Sequence, residues 1–392
     1  MGPAAKRLRR YRKMKLPKIC ILLGMLLLLY GCWNYREADS LFLVTGCGLD
    51  YDFEKDRYRM TVEIAAPEGS GKNVEIKPKI LSADGDTVFD AVRNIIRISS
   101  KRLYWGHAQA YIIGRNLAEK SILPLLDWII RDAEPRETVV LYISKCETAE
   151  EIFKEKIPSS RMLAYGIYEM TTSAVSVPKA PYVQVYQLYG MLTSDTGVAY
   201  VPAVDITREG GSFTPIVTGA ALLDKERLAG FLSEEDTRSL LFLRDEIKGG
   251  ILPVKTGSGP MSGYLSLEIF KSSTIVTPVF QEDRMSFKVK TALEVAVGGE
   301  YEQEKYLSAD QTAELENICS QFLKNKLEDF ISRLKQDYGL DAVGFGEVLK
   351  RRKPGLWKEV KSNWNEETFR DIDVQMDVKV TLRNTGQYLK GL

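Results

Sequence analysis

The sequence predicts an α+β fold of two to three mixed sheet-and-helix domains. Its C-terminal part is expected to pack a long amphipathic helix on a largely antiparallel sheet. Three observations carry this expectation. Ile372, Val374, Met376, Val378, Val380 and Leu382 alternate without a break with Asp373, Gln375, Asp377, Lys379 and Thr381. That period of two marks a half-buried strand. Upstream, Leu315, Ile318, Phe322, Leu327, Phe330, Leu334 and Tyr338 form a helical stripe closed by Gly339. In the first half, short β-branched runs alternate with helical patterns, as in a compact mixed α/β unit.

Taken in order, Leu41 to Leu49 is apolar and punctuated by glycine, as in a buried strand. Tyr51 to Asp56 makes a turn. Tyr58, Met60, Val62 and Ile64 then alternate with Arg57, Arg59, Thr61 and Glu63, the pattern of a half-buried strand. A polar loop runs from Pro67 to Asn73. Val88, Val92, Ile95 and Ile96 fall at helical spacing behind Asp84 or Asp86 as the cap. Gln109 to Ile113 reads as a strand, and Ile122 to Ile130 as a helix with Pro124 near its start, where a missing N–H costs little. Thr138 to Ile143 is a strand and Thr148 to Glu155 a short helix ending before Pro158. From Ile157 to about Val201 the periodicity weakens into a connecting segment with some helix of its own.

The second half opens with Ile216 to Leu223, the turn Asp224-Lys225-Glu226, and Arg227 to Leu232, a hairpin. Ser233 and Asp236 resemble a capping box before Leu240, Leu243 and Ile247, and Gly249-Gly250 stops that helix. Strands are expected at Tyr264–Phe270, Thr274–Gln281 and Met285–Val297. Ser308 with Gln311 is a second capping box, opening the long helix. The implied domain boundaries are 1–31 for a signal, 32–200 for an N-terminal domain whose connecting segment starts near 157, and 201–392 for a C-terminal domain with a possible subdivision near 300.

The signal is read from charge and hydropathy. Lys6, Arg7, Arg9, Arg10, Arg12, Lys13, Lys15 and Lys18 precede Ile19 to Leu29, and no acidic residue occurs before Cys32. This is the layout of a secretory signal. The uncharged run from Ile19 to Trp33 is shorter than the about 20 apolar residues that span about 30 Å of hydrocarbon. Leu29-Tyr30-Gly31-Cys32 resembles a bacterial lipobox. That resemblance implies a diacylglyceryl group on the Cys32 sulfur, cleavage before it, and acyl chains such as palmitate holding the body at the outer face of a membrane. An ordinary signal with an accidental cysteine is the plainer alternative. Two acyl chains anchor stably where one is marginal.

The formal charge of +1 hides an asymmetry: without the eight cations of the signal, 46 Lys and Arg face 53 Asp and Glu, a body near −7. An acidic body without a basic run argues against nucleic-acid binding. It also leaves the acyl anchor, rather than basic residues, to hold the membrane. With Cys20 in the signal and Cys32 lipidated, Cys47, Cys146 and Cys319 remain. They are an odd, widely spaced set without C-x-x-C, which encodes neither a disulfide framework nor a zinc site. Buried free thiols are expected, since free cysteine behaves as a small hydrophobe.

The chemical inventory is poor. His107 is the single histidine, set among aromatics in Leu103-Tyr104-Trp105-Gly106-His107 before a strand. No G-x-S-x-G elbow accompanies it, so a hydrogen-bonded structural role is expected over a catalytic one. One histidine cannot assemble most zinc-hydrolase ligand sets. Gly69-Ser70-Gly71-Lys72 lacks the earlier glycine and the following Ser or Thr of a phosphate loop, because Ala66 and Asn73 stand there. Glu234-Glu235-Asp236 sits in a helix's first turn, where the macrodipole favours acids. No catalytic residue, metal ligand or cofactor site is assigned.

Four stretches together resemble the Ger(x)C family, the C subunits of bacterial spore germinant receptors. They are Gly31 to Glu37 with Val44 to Asp50; Trp105 to Gln109 running to Ile113-Gly114, with Ile122 to Asp127 and Arg131-Asp132; Thr218 to Leu223 with Lys225, Leu228 to Leu232, Glu235, Thr237 and Arg238; and Val374 to Gly386. Ala38 stands where a larger apolar residue is usual, and Cys47 where an aliphatic one is common. The resemblance implies a non-catalytic, lipid-anchored scaffold or signal-coupling subunit beside two integral-membrane subunits of the A and B type, at the outer face of the spore inner membrane. A lipid-anchored solute-binding protein would need two similar lobes, and the halves here differ. An envelope hydrolase would need a nucleophile or metal set.

Overall fold

A computed structural model describes residues 41–69, 74–173, 176–209, 211–256, 263–281, 284–298 and 309–383. The signal, Cys32, the Gly69–Lys72 turn beyond Gly69, and the Ser308 cap lie outside the described residues. Two sheets organise the chain. The first has the order β3-β2-β1-β5-β6-β7-β8-β9, with β4 beside β1.

Strands β1 (Leu41–Asp52) and β2 (Arg57–Glu68) form a hairpin. Its turn is held by Asp52 Oδ1, which accepts from the N–H groups of Glu54 and Lys55. Strand β3 (Glu75–Gly85) pairs with β2 as an edge strand. Its sequence alternates Val74, Ile76, Pro78 and Ile80 with Glu75, Lys77 and Lys79, with a proline in the middle of the run, and a proline is tolerated at an edge. Helix α1 (Val88–Ser99) is capped by Thr87, whose Oγ1 accepts from Asp90 N at 3.1 Å, not by Asp84 or Asp86. Asp84 instead pairs with Arg59. Strands β4 (Arg102–Tyr104) and β5 (Ala110–Ile113) come next, then α2 (Arg115–Lys120) and α3 (Leu123–Arg131), with Pro124 in its first turn. Strand β6 (Val140–Ser144) precedes α4 (Ala149–Phe153), and α5 (Leu163–Ser173) and α6 (Val185–Leu192) fall in the segment of weak periodicity.

Strands β1, β5, β6 and β7 (Val198–Glu209) are parallel. Both faces of this centre are covered. Tyr111, Ile113, Leu141 and Ile143 enter a core with α1 and α3, while Ala110, Ile112, Val140 and Tyr142 enter a second with α4 and α5. A strand buried on both sides reads as a continuous apolar run, as β5 and β6 do. Strands β8 (Ser212–Asp224) and β9 (Arg227–Leu232) then add antiparallel at the β7 edge. The sequence boundary at 200/201 therefore falls inside the first sheet, because the predicted hairpin docks on β7 instead of opening a separate layer.

The sheets change after α7 (Glu234–Leu243), whose cap Ser233 accepts from Asp236 N as expected. The second sheet runs β10 (Gly250–Thr256), β11 (Gly263–Gln281), β12 (Arg284–Gly298) and β13 (Asp373–Leu382). The two strands expected at Tyr264–Phe270 and Thr274–Gln281 are one, interrupted by a bulge between Ile269 and Lys271. Pairing is antiparallel except for β13, which lies parallel to β12. Between them comes the long helix α8 (Ala309–Arg333), extended by a wider turn over Leu334–Tyr338 and ended by Gly339 at φ 65°. Leu315, Cys319, Leu323, Leu327, Phe330 and Leu334 are buried, whereas Ile318 is 42% exposed. The true stripe passes through the small Cys319, which a search for large apolar residues skips.

The stretch from Asp341 to Asp371, silent in the sequence reading, folds into α9 (Phe345–Arg352), α10 (Pro354–Val360) and a short α11 (Phe369–Asp371). Trp357 and Trp364 are buried there with ring centroids 5.1 Å apart. Among the described residues no helix is long and apolar enough to cross a membrane.

Candidate functional site

His107, expected to be a buried structural side chain, is exposed. Its ring meets Tyr104 edge-on at 5.7 Å, and its backbone carbonyl accepts a hydrogen bond from Tyr165 Oη at 3.4 Å. The aromatic core of that loop is instead Trp105 against Trp128 and Tyr111. Cys47 and Cys319 are buried and Cys146 is half-buried. Burial pushes the Cys47 thiol well above its ordinary range, away from nucleophilic reactivity. The acids of the α7 first turn are engaged: Glu234 accepts from Thr218 Oγ1 and pairs with Lys179, Glu235 with Lys326, and Asp236 with Arg333 of α8. They tie α7 to its neighbours.

Three buried carboxylates were not singled out by the sequence, and each holds a helix N-terminus. Asp50, at the end of β1, accepts from Ala149 N at 2.6 Å and Glu150 N at 3.0 Å, the start of α4. Glu63 of β2 accepts from Leu163 N, Ala164 N and Thr45 Oγ1 at 2.7, 3.0 and 2.6 Å, the start of α5. Asp341 accepts from Gly344 N, Phe345 N and Gly346 N, the start of α9, and from Trp364 Nε1 at 2.9 Å. Burial raises both Asp50, to about 6, and Asp341 against these donors. The signal that could have found Glu63 is its place in β2, where a buried carboxylate on the second face requires donors aimed at it.

Their placement has a chemical consequence. In open parallel sheets, ligands bind beyond the carboxyl ends of the strands, and phosphates sit on helix N-termini. Here α4 begins beside the ends of β1 and β6, yet its leading N–H groups already serve Asp50. The protein's own carboxylates stand where an exogenous anion would.

A crevice of about 150 Å³ lies where α6 and β7 meet Arg244 and the α9 N-terminus. That is below the roughly 300–1,000 Å³ of ordinary ligand pockets. Arg244 donates through Nη1 to Ala342 O and Val343 O and through Nε to Glu246 Oε1 at 3.1 Å, with its guanidinium 5.0 Å from the Tyr200 ring centre. Tyr200 Oη donates to the same Glu246 oxygen at 2.6 Å. Nearby, Asp195 accepts from Trp357 Nε1 and pairs with Lys350, while Asn365 Nδ2 donates to Thr196 O. These contacts join the first sheet to the segment before β13. The arrangement suits a joint between elements: its polar groups are paired with one another. Among the described residues no group of three or more His, Cys, Asp or Glu side chains is placed to hold a metal ion.

The fold and this joint define an α+β protein built around two sheets and a long C-terminal helix. A family profile described as "Spore germination protein N-terminal domain" matches residues 34–206, and one described as "Spore germination B3/GerAC like, C-terminal" matches residues 218–386. Residues 207–217, between the two matches, span the turn from β7 to β8, so the first sheet takes strands from both. Spore germination protein B3 of Bacillus subtilis (strain 168) is 23% identical over 380 residues, covering 94% of this chain and 98% of that protein. Spore germination protein KC of the same organism is 22% identical over 399 residues, covering 94% and 96%. The crystal structure of the GerBC protein superposes with a TM-score of 0.55 at 22% identity, over 86% of this chain and 97% of that one. The chain belongs to the Ger(x)C family of spore germination proteins.

Proposed function

We propose that this protein is a lipid-anchored subunit of a spore nutrient-germinant receptor, acting in germination as a non-catalytic scaffold or signal coupler. The observation that carries the reading is the ordered pair of spore-germination profiles over residues 34–206 and 218–386, with relatives named as spore germination proteins over nearly their whole length. The geometry fits it. Three helix N-termini are closed by internal carboxylates and the crevice groups by one another, which suits a body that presents surfaces rather than binds a small ligand. The lipobox assigns the anchor to Cys32, at the outer face of the spore inner membrane, beside two integral-membrane subunits of the A and B type. Confinement to one leaflet raises the effective concentration next to such partners, so modest contacts suffice for assembly.

Feeding sporulating cells an alkyne fatty acid tests the anchor. The expected result is label on the wild-type protein, none on Cys32→Ala, and co-isolation of two multi-span proteins with the labelled form. Label that persists on Cys32→Ala contradicts the assignment of the anchor.

A further inference from the structure

At the end of the first sheet where β1 begins, one face carries an uncovered apolar strip. Leu43 on β1 lies opposite Ala65 on β2, which lies opposite Pro78 on the edge strand β3. Directly opposed residues share a face, and so do alternate residues along a strand. Leu43, Ala65, Pro67, Ile76, Pro78 and Ile80 therefore line one surface. Further along β2 this surface is covered: Glu63 receives the N-terminus of α5. Below that level it is open, with Leu43 41%, Ile76 46% and Ile80 38% exposed, and Val74, just before β3, 50%. A contiguous exposed apolar strip of this kind marks an interaction surface.

We infer that this strip rests on the outer surface of the lipid bilayer and orients the body on its membrane. The inference depends on the reading of Cys32 as the lipid anchor. Two observations select the bilayer as occupant. Leu41 comes nine residues after Cys32, a reach of at most about 30 Å. The end of β1 where the tether enters is the end that carries the strip, so the anchor brings these residues to the lipid before any other part of the sheet. A second copy joined by strand addition is disfavoured, because Pro78 and the flanking Lys77 and Lys79 blunt the β3 edge. Binding of this kind scales with the apolar area buried at the headgroup boundary.

The test uses the Cys146→Ser protein made in a lipoprotein-processing host, purified from its membranes and reconstituted into phosphatidylcholine vesicles containing phosphatidylglycerol, so that Cys20 is gone with the signal and Cys32 is blocked by lipid. Ile76→Cys and Ile80→Cys are each labelled with an environment-sensitive fluorophore. Cys47 and Cys319, both fully buried, are left in place. The control is Phe213→Cys on β8, 57% exposed and opposite Arg208 at the far end of β7, which runs parallel to β1 through β5 and β6. The expected result is a blue shift and loss of iodide quenching at 76 and 80, unchanged over protein-to-lipid ratio, with 213 remaining aqueous. Protein that floats with the vesicles while 76 and 80 stay quenchable overturns the docking surface and leaves the anchor intact. Protein that does not float overturns the anchor and this inference with it. Protection that appears only on adding a membrane-spanning partner, or only at high protein density, assigns the strip to a protein interface and overturns its assignment to lipid.

Discussion

A buried carboxylate that receives a helix N-terminus is pulled two ways: removal from water favours its neutral form, and each donated N–H favours the charged one. At Asp50 burial dominates, aided by the neighbouring Glu150 and Glu151, and the carboxyl is pushed up to about 6. Arg59, which pairs with Glu150 and Asp84, is the cation beside that cluster. Because the folded value lies above the unfolded one of about 4, the native state binds more protons between them, and stability falls as pH rises through that window. Asp50→Asn removes this term. The melting temperature of wild type relative to Asp50→Asn is expected to be higher at pH 4 than at pH 7; a constant difference across that range contradicts the assignment. The side chain that the sequence does single out, His107, is exposed beside Tyr104 and takes no part in such a network.

At the scale of elements, the partnership of α8 with β13 shows how the second sheet ends safely. Strand β13 is an edge, and an unpaired edge invites another chain. Two of its N–H groups are taken by the helix: Val380 N donates to Ser320 Oγ at 2.9 Å and Leu382 N to Glu316 Oε1 at 2.7 Å. Replacing Glu316 and Ser320 together by alanine leaves β13 bare. Each lost hydrogen bond is expected to cost about 1 kcal/mol. Light scattering on heating is expected to show aggregation at lower temperature than wild type; unchanged scattering denies the helix this role. Legibility in the sequence followed the same physics. β13 and the β8–β9 hairpin were readable because alternation and the short polar turn Asp224-Lys225-Glu226 are local signals. Strands β3 and β10 were not, since Pro78 and Pro253 interrupt their patterns, and Asp341 to Asp371 was not, since its short helices are fixed by Trp357, Trp364 and Asp341. Of the candidate site, only the α7 cap could be read from spacing; Asp50, Glu63 and Asp341 depend on donors about 100 residues away or on a compact turn.

For the whole molecule, one property organises the rest. The polar groups of the joint before β13 are paired with one another: Arg244 serves Ala342, Val343 and Glu246, and Asp195 serves Trp357 and Lys350. The molecule's apolar strip lies at the tethered end of the first sheet, and its family membership places it among spore germination proteins. The most direct test of the central claim is the germination of spores from which this gene is deleted, scored by loss of optical density with the cognate nutrient and with a trigger that bypasses nutrient receptors. The expected result is loss of the nutrient response, retention of the bypass response, and rescue by the wild-type gene. Deleted spores that answer every nutrient as wild type does, in a strain without a related copy, contradict it.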